Sequence, residues 1–174
     1  MPSVTLLGMR RVLILASLFV SLGFAAEDWG TAQFLVGRWT GEGGGQPGQG
    51  AGAFSFTPDL QGAVLIRKSF AEYPAANGRP AFRHDDLTIV YRDEASRQLR
   101  ASYFDNEGHA IQYVVKASDG EVVFASEGPT NTTRYRLTYT STGPERLKLK
   151  FEIAAPGKDL STYIESTARR DSRK

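Results

Sequence analysis

The 174-residue chain has no cysteine, and only two histidines, two tryptophans and two methionines. Without cysteine there are no disulfides, thiolate nucleophiles, cysteine-bound zinc or iron–sulfur clusters. Imidazole is limited to His84 and His109, so a nucleophilic triad would have to recruit one of them. Gly-x-Ser-x-Gly, His-Glu-x-x-His and Ser-x-x-Lys are all absent. No apolar run reaches the roughly 20 residues that a bilayer-spanning helix needs. No basic run carries interleaved aromatics, so nucleic acid is not an expected partner. A sustained 3.6-residue period is missing too, and no internal repeat is evident.

What is present begins with a leader. Met9-Arg10-Arg11 precedes Val12 to Leu22, an apolar run of eleven residues containing two serines. Gly23-Phe24-Ala25 then places small residues at the −3 and −1 positions of a cleavage site. Residues 1–25 are therefore expected to be a signal peptide and residues 26–174 a single domain. No cysteine follows the apolar run to carry a lipid, so the expected destination is the periplasm or the medium. The whole chain has 21 Lys+Arg and 19 Asp+Glu. Losing Arg10 and Arg11 leaves 19 against 19, so the mature domain is formally neutral. A domain of this length can bury a core without staples.

The remainder reads as strands separated by short polar turns. Glu27 to Val36 is a short helical or irregular lead, with Trp29, Phe34 and Leu35 able to plug one end of a barrel. Ten strands are expected: Gly37–Gly45, Ala53–Pro58, Ala63–Tyr73, Leu87–Arg92, Gln98–Phe104, His109–Ala117, Glu121–Ser126, Thr132–Ser141, Arg146–Ala154 and Ser161–Arg169. Leu147, Leu149, Phe151 and Ile153 alternate with Lys148, Lys150 and Glu152, which gives one dry and one wet face. Short hairpins and exposed edges favour closure of the sheet on itself. The expected fold is an all-β, antiparallel, up-and-down barrel. Pro74 to Asp85 is the longest loop and the expected portal, with Phe82 as a flap.

Alternation points Phe54, Phe56, Leu65, Tyr103, Tyr113, Tyr135, Leu137, Leu149 and Phe151 inward as the lining of a cavity. Arg67, Arg100, Arg134 and Arg136 fall mid-strand, and any that faced inward would mark an anionic head group. His84-Asp85-Asp86 could place a base at the mouth through His84 and Asp86. Neighbouring residues on an extended chain diverge, however, so no metal site is expected there. Asp105-Asn106-Glu107-Gly108-His109 reads as a hairpin turn, with His109 a further polar residue of the mouth. Gly41 to Gly52 lacks Gly-Lys-Ser/Thr and leads into no helix, which excludes a phosphate cradle. Asn131-Thr132-Thr133 reads as a turn.

The spaced motif Gly37-x-Trp39-x-Gly41-x-Gly43-x-Gly45, followed by Gln46-Pro47, resembles the first strand of nitrobindin-like proteins. By strand order the chain is similar to the calycin group, which includes lipocalins, fatty-acid-binding proteins and nitrobindins. Bacterial lipocalin-like families of uncharacterised function are the nearest likeness. The resemblance implies a structural role for Gly37 and Trp39. It also implies that Arg169 or Arg170 on the last strand covers Trp39, Arg169 being the residue first expected there. Nitrobindins hold haem through a histidine on the C-terminal part of the barrel. No histidine follows His109 here, and the last two strands offer Tyr163 but no imidazole. The expectation is an exported, monomeric, noncatalytic barrel that binds a small, mostly apolar molecule without a cofactor. A haem-binding barrel and an enzyme using His84 and Asp86 are the alternatives.

Overall fold

The computed structural model describes residues 29–42, 51–76, 78 and 80–171. A 3-10 turn, Gly30–Leu35, leads into ten strands. These are β1 Gly37–Glu42, β2 Ala51–Asp59, β3 Val64–Tyr73, β4 Phe82–Arg92, β5 Leu99–Asp105, β6 Ala110–Ser118, β7 Glu121–Ser126, β8 Arg134–Gly143, β9 Arg146–Ala154 and β10 Ser161–Arg170. Each strand pairs antiparallel with its sequence neighbours, and β1 pairs with β10, so the sheet closes into an up-and-down barrel. Closure leaves no unpaired edge, which is what a chain of half-wet strands requires. Among the described residues no helix is long and apolar enough to cross a membrane.

The barrel has a base, where the 3-10 turn sits, and a mouth at the opposite end. Trp29, Ala32 and Leu35 are buried in the base, and Phe34 packs against them. Trp39 is buried there and its indole N–H donates to the Leu35 carbonyl at 2.8 Å. Arg170 lies over the Trp39 ring with Cζ 4.2 Å from the centroid. Its guanidinium also donates to the carbonyls of Val36 at 2.7 Å and Phe34 at 3.0 Å. One side chain of the last strand thus ties down both the first strand and the turn before it. Gly37 makes room for it: a Cβ there would lie 2.4 Å from Arg170 Nη1, and φ is +133°. Gly52 is similarly required, since a Cβ would lie 2.8 Å from the Phe70 carbonyl oxygen across β3. Gly43, Gly45, Gln46 and Pro47 lie outside the described residues.

Two expectations need correction. Arg169 does not cover Trp39. The register pairs Trp39 with Arg170 and Thr40 with Arg169, and a shift of one residue moves a side chain to the other face. Arg169 stands exposed beside Glu42, at 3.4 Å. The second correction concerns the long loop, which is shorter than expected because β4 starts at Phe82. Residues 82–86 pair with β3 through Tyr73↔Phe82, Glu72↔Arg83 and Ala71↔His84. Arg83 binds Glu72 at 2.6 Å and lies over the Phe70 ring at 4.1 Å, while Tyr73 and Phe82 stack at 6.3 Å. Cross-strand pairs of this kind hold a polar segment in a sheet despite its loop-like composition. Phe82 is therefore a rim residue of a strand and not a loop flap.

On the outer face Glu152 is buried between Arg136, at 2.6 and 2.8 Å, and Lys150, at 3.0 Å. Hydrogen bonding to Arg136, assisted by Lys150, outweighs burial and holds the Glu152 carboxyl down at about 2.

Replacing Arg170 with Met is expected to lower the unfolding free energy by about 2–4 kcal/mol, from lost hydrogen bonds and cation–π contact. Arg169→Met should change it by less than about 0.5 kcal/mol. Equal effects in urea unfolding would contradict the assignment of the clamp. Because Glu152 titrates lower in the folded state, its stabilisation is complete above pH ~4.5 and fades as pH falls toward ~2. Glu152→Gln should flatten this acid limb of the stability profile, and an unaltered limb would refute the role given to Glu152.

Candidate functional site

The inward-facing side chains divide into two zones. Toward the base, Phe56, Leu65, Val90, Ala101, Val122, Tyr139, Leu147 and Ala168 are all buried. Toward the mouth, Tyr103, Ile111, Tyr135, Leu137, Leu149 and Phe151 share the same inner face but are only partly buried. Burial along the inner face is therefore complete at the base and partial toward the mouth. Edge-to-face aromatic contacts connect the zones, from Tyr103 through Tyr113 and Phe124 to Tyr139 and Phe56. At the rim Tyr135 stacks on Phe151 at 6.1 Å, and Phe151 meets Tyr163 at 6.2 Å.

A buried ion pair forms the floor. Arg67 is 8% exposed and its Nη1 donates to Asp86 Oδ1. Its guanidinium also lies 5.4 Å from the Phe54 ring centroid. Burial alone would lower the Arg67 pKa, but the Asp86 charge, helped by Tyr139 and Tyr103, raises it above the ordinary range. The guanidinium therefore stays charged in the interior. Arg67 Nε and the Tyr139 hydroxyl are buried with no other hydrogen-bond partner among the described residues, and the guanidinium and the phenol interact with each other. Burial pushes Tyr139 up to about 12, so it remains a neutral phenol.

From this floor a polar network climbs to the mouth. His84 lies on the same face as Asp86, with Nε2 3.7 Å from Asp86 Oδ2 and 3.1 Å from the Tyr103 hydroxyl. His84 Nδ1 faces Glu107 Oε1 at 2.7 Å. Tyr103 donates to Asp105 Oδ2 at 3.0 Å, and His109 Nδ1 reaches the same oxygen at 2.8 Å. Asp105 Oδ1 accepts the backbone N–H groups of Glu107 and His109. Burial would raise the Asp105 carboxyl, but bonds from His109, Tyr103 and Glu107 prevail and hold it below its usual value. Burial, followed by the Asp86 and Asp105 charges, raises Tyr103 well above the normal phenol range. One ligand atom each from His84, Asp105 and Glu107 lies within 4.8 Å of the others. An open depression of about 360 Å³ lies beside the cluster, where Asp86 and Asp105 meet outer-face Lys68, Leu87 and Phe104. It is a surface groove and not an enclosed chamber.

No family model and no curated protein sequence matches the chain. Among solved structures it is similar to Rv2717c from M. tuberculosis, known from a crystal structure. That likeness has 13% identity and a TM-score of 0.56 over 82% of this chain and 98% of the other. Identity this low carries the fold alone. The fold is calycin-like.

Against this calycin-like barrel the expected residues sort as follows. Tyr103, Tyr135, Leu137, Leu149 and Phe151 face inward toward the mouth and are partly buried. Phe54 and Tyr113 lie at the level of the floor, while Phe56 and Leu65 are 1% exposed in the sealed base. These last two pack in the base, Phe56 directly against Tyr139. His84, Asp86 and His109 converge at the mouth. Of the four mid-strand arginines, Arg67 alone turns inward. Arg100, Arg134 and Arg136 bond Glu127, the Lys158 carbonyl and Glu152 on the outside. Sequence reasoning missed Asp105, Glu107 and Tyr139 as site residues. Tyr139 shares its alternation with Tyr135 and Leu137, so its inward direction was available from the period alone.

Asp86→Leu should cost about 3–5 kcal/mol by leaving Arg67 buried without its partner. Arg67→Met combined with Asp86→Leu should recover most of that loss. Thermal or urea unfolding of the three variants checks this, and a double variant worse than the single would contradict the pairing.

Proposed function

We propose that this protein is an exported, monomeric carrier that takes a small, mostly apolar molecule into the mouth half of its barrel without transforming it. The observation that carries the reading is the set of partly exposed inward aromatics toward the mouth, standing over the buried Arg67–Asp86 pair. An apolar body would pack against Tyr135, Leu137, Leu149 and Phe151. A single acceptor on the ligand, such as a carbonyl, hydroxyl or carboxylate oxygen, would face the charged Arg67 end of the interior. This fits the usual make-up of small-molecule sites, mostly apolar with a few placed polar groups. Export rests on the leader-like residues 1–25.

The haem alternative gains no specific support, because the late strands carry no histidine and Tyr163 is half exposed at the rim. A Soret band on the purified protein would restore it. The enzyme alternative is favoured by one observation, the shared inner face of His84 and Asp86. A pH–rate profile abolished by His84→Ala would support it.

The full chain, expressed with its own leader in a bacterial host, should be recovered from the periplasm with residues 1–25 removed. Its native mass spectrum should show a discrete excess mass, released on denaturation. Leu137→Trp, which fills the accessible half, should weaken uptake of that molecule at least about tenfold by overpacking its space. A clean apo mass together with no uptake of apolar probes would sink the carrier reading.

A further inference from the structure

The mouth end of β4 and the turn joining β5 to β6 bring together both histidines of the chain and two carboxylates, with a third close behind. Asp86 and Asp105 are direct partners across the β4–β5 ladder, an arrangement that like charges destabilise unless something neutralises them. Glu107 adds another carboxylate 2.7 Å from His84. Three carboxylates set against the single guanidinium of Arg67 leave a formal charge of −2 while both imidazoles are neutral.

The hydrogen bonds point the same way. The contacts Glu107–His84, His84–Tyr103, Tyr103–Asp105 and Asp105–His109 each need one proton. Ionised carboxylates supply none, the phenol supplies one, and two neutral imidazoles supply one each. With both imidazoles neutral these four contacts share three protons, and either one more proton or a bound cation would complete the network. Tyr103 donates toward Asp105, so His84 Nε2 keeps its hydrogen for the Tyr103 oxygen. That choice turns the lone pair of Nδ1 toward Glu107.

We propose that a divalent transition-metal ion, zinc by the chemistry of its donors, binds at the mouth through His84 Nδ1, Glu107 and Asp105. Imidazole with two carboxylates suits zinc better than calcium or magnesium, which favour all-oxygen sets. The surroundings are those of a metal site with a built outer shell. The far nitrogen of His84 is oriented by Tyr103 and Asp86, and Asp86 is itself locked to Arg67. Ligand Asp105 is braced by His109 and by two backbone N–H groups. Outer-shell partners of this kind fix the tautomer and direction of a ligating histidine. Three protein donors leave a fourth position facing the mouth. The site stands on these side chains alone, whether or not the barrel takes up an apolar molecule.

Zinc titration of chelator-stripped, untagged protein tests this. Wild type should bind one zinc per chain, read from titration calorimetry. Cobalt substitution should give the visible bands of a four-coordinate ion. His84→Gln and Glu107→Gln should each weaken zinc at least about tenfold, and Tyr103→Phe about tenfold, with melting otherwise unchanged. Glu107 is half exposed, so its variant keeps the test intact if the histidine variant fails to fold. A stripped wild type that takes up no zinc, a preference for magnesium, or binding untouched by Glu107→Gln overturns the proposal.

Discussion

The ion pair between Arg67 and Asp86 divides this molecule. Two charges removed from water must satisfy each other, because an isolated charge in a dry interior costs several kcal/mol or more. The consequences run in both directions along the barrel axis. Below the pair the interior closes with Phe56, Leu65, Val122 and Leu147, so the charges have no route to solvent from the base. Above it the polar chain of His84, Tyr103, Asp105 and Glu107 leads the charges out to the mouth. A fully packed barrel would strand the pair, and a fully open one would leave it no reason to form. The observed gradient, buried at the base and partly buried toward the mouth, fits both needs.

The base is closed where the first and last strands are tied together. Arg170 bonds carbonyls on the turn before β1 and covers Trp39, while Gly37 leaves the space it occupies. The motif Gly37-x-Trp39 therefore concerns closure and not ligand. It explains why the most specific sequence signal lies far from the residues that could bind anything.

The strands were legible because they are half-buried and alternate cleanly, most clearly in β8 and β9. The start of β4 was not, because Arg83, His84, Asp85 and Asp86 carry loop composition, and their strand geometry comes from partners on β3 that no local pattern shows. Arg170 and Arg169 could not be separated without the register, where one residue decides the face. The mouth cluster was half visible. His84-Asp85-Asp86 and Asp105-Asn106-Glu107-Gly108-His109 each look unremarkable alone, and each has too few donors pointing one way. They become one constellation only through the pairing of Asp86 with Asp105, which belongs to the sheet and not to either segment.

The central claim is that the mouth half of the barrel is an accessible chamber above a charged floor. A crystal structure of the protein recovered from the periplasm tests this most directly. The account predicts ordered density for a small molecule between Tyr135, Leu149 and the Arg67–Asp86 pair, with the aromatic walls standing apart. Tyr103, Tyr135 and Phe151 folded inward to fill that space, with only water at the rim, would contradict it.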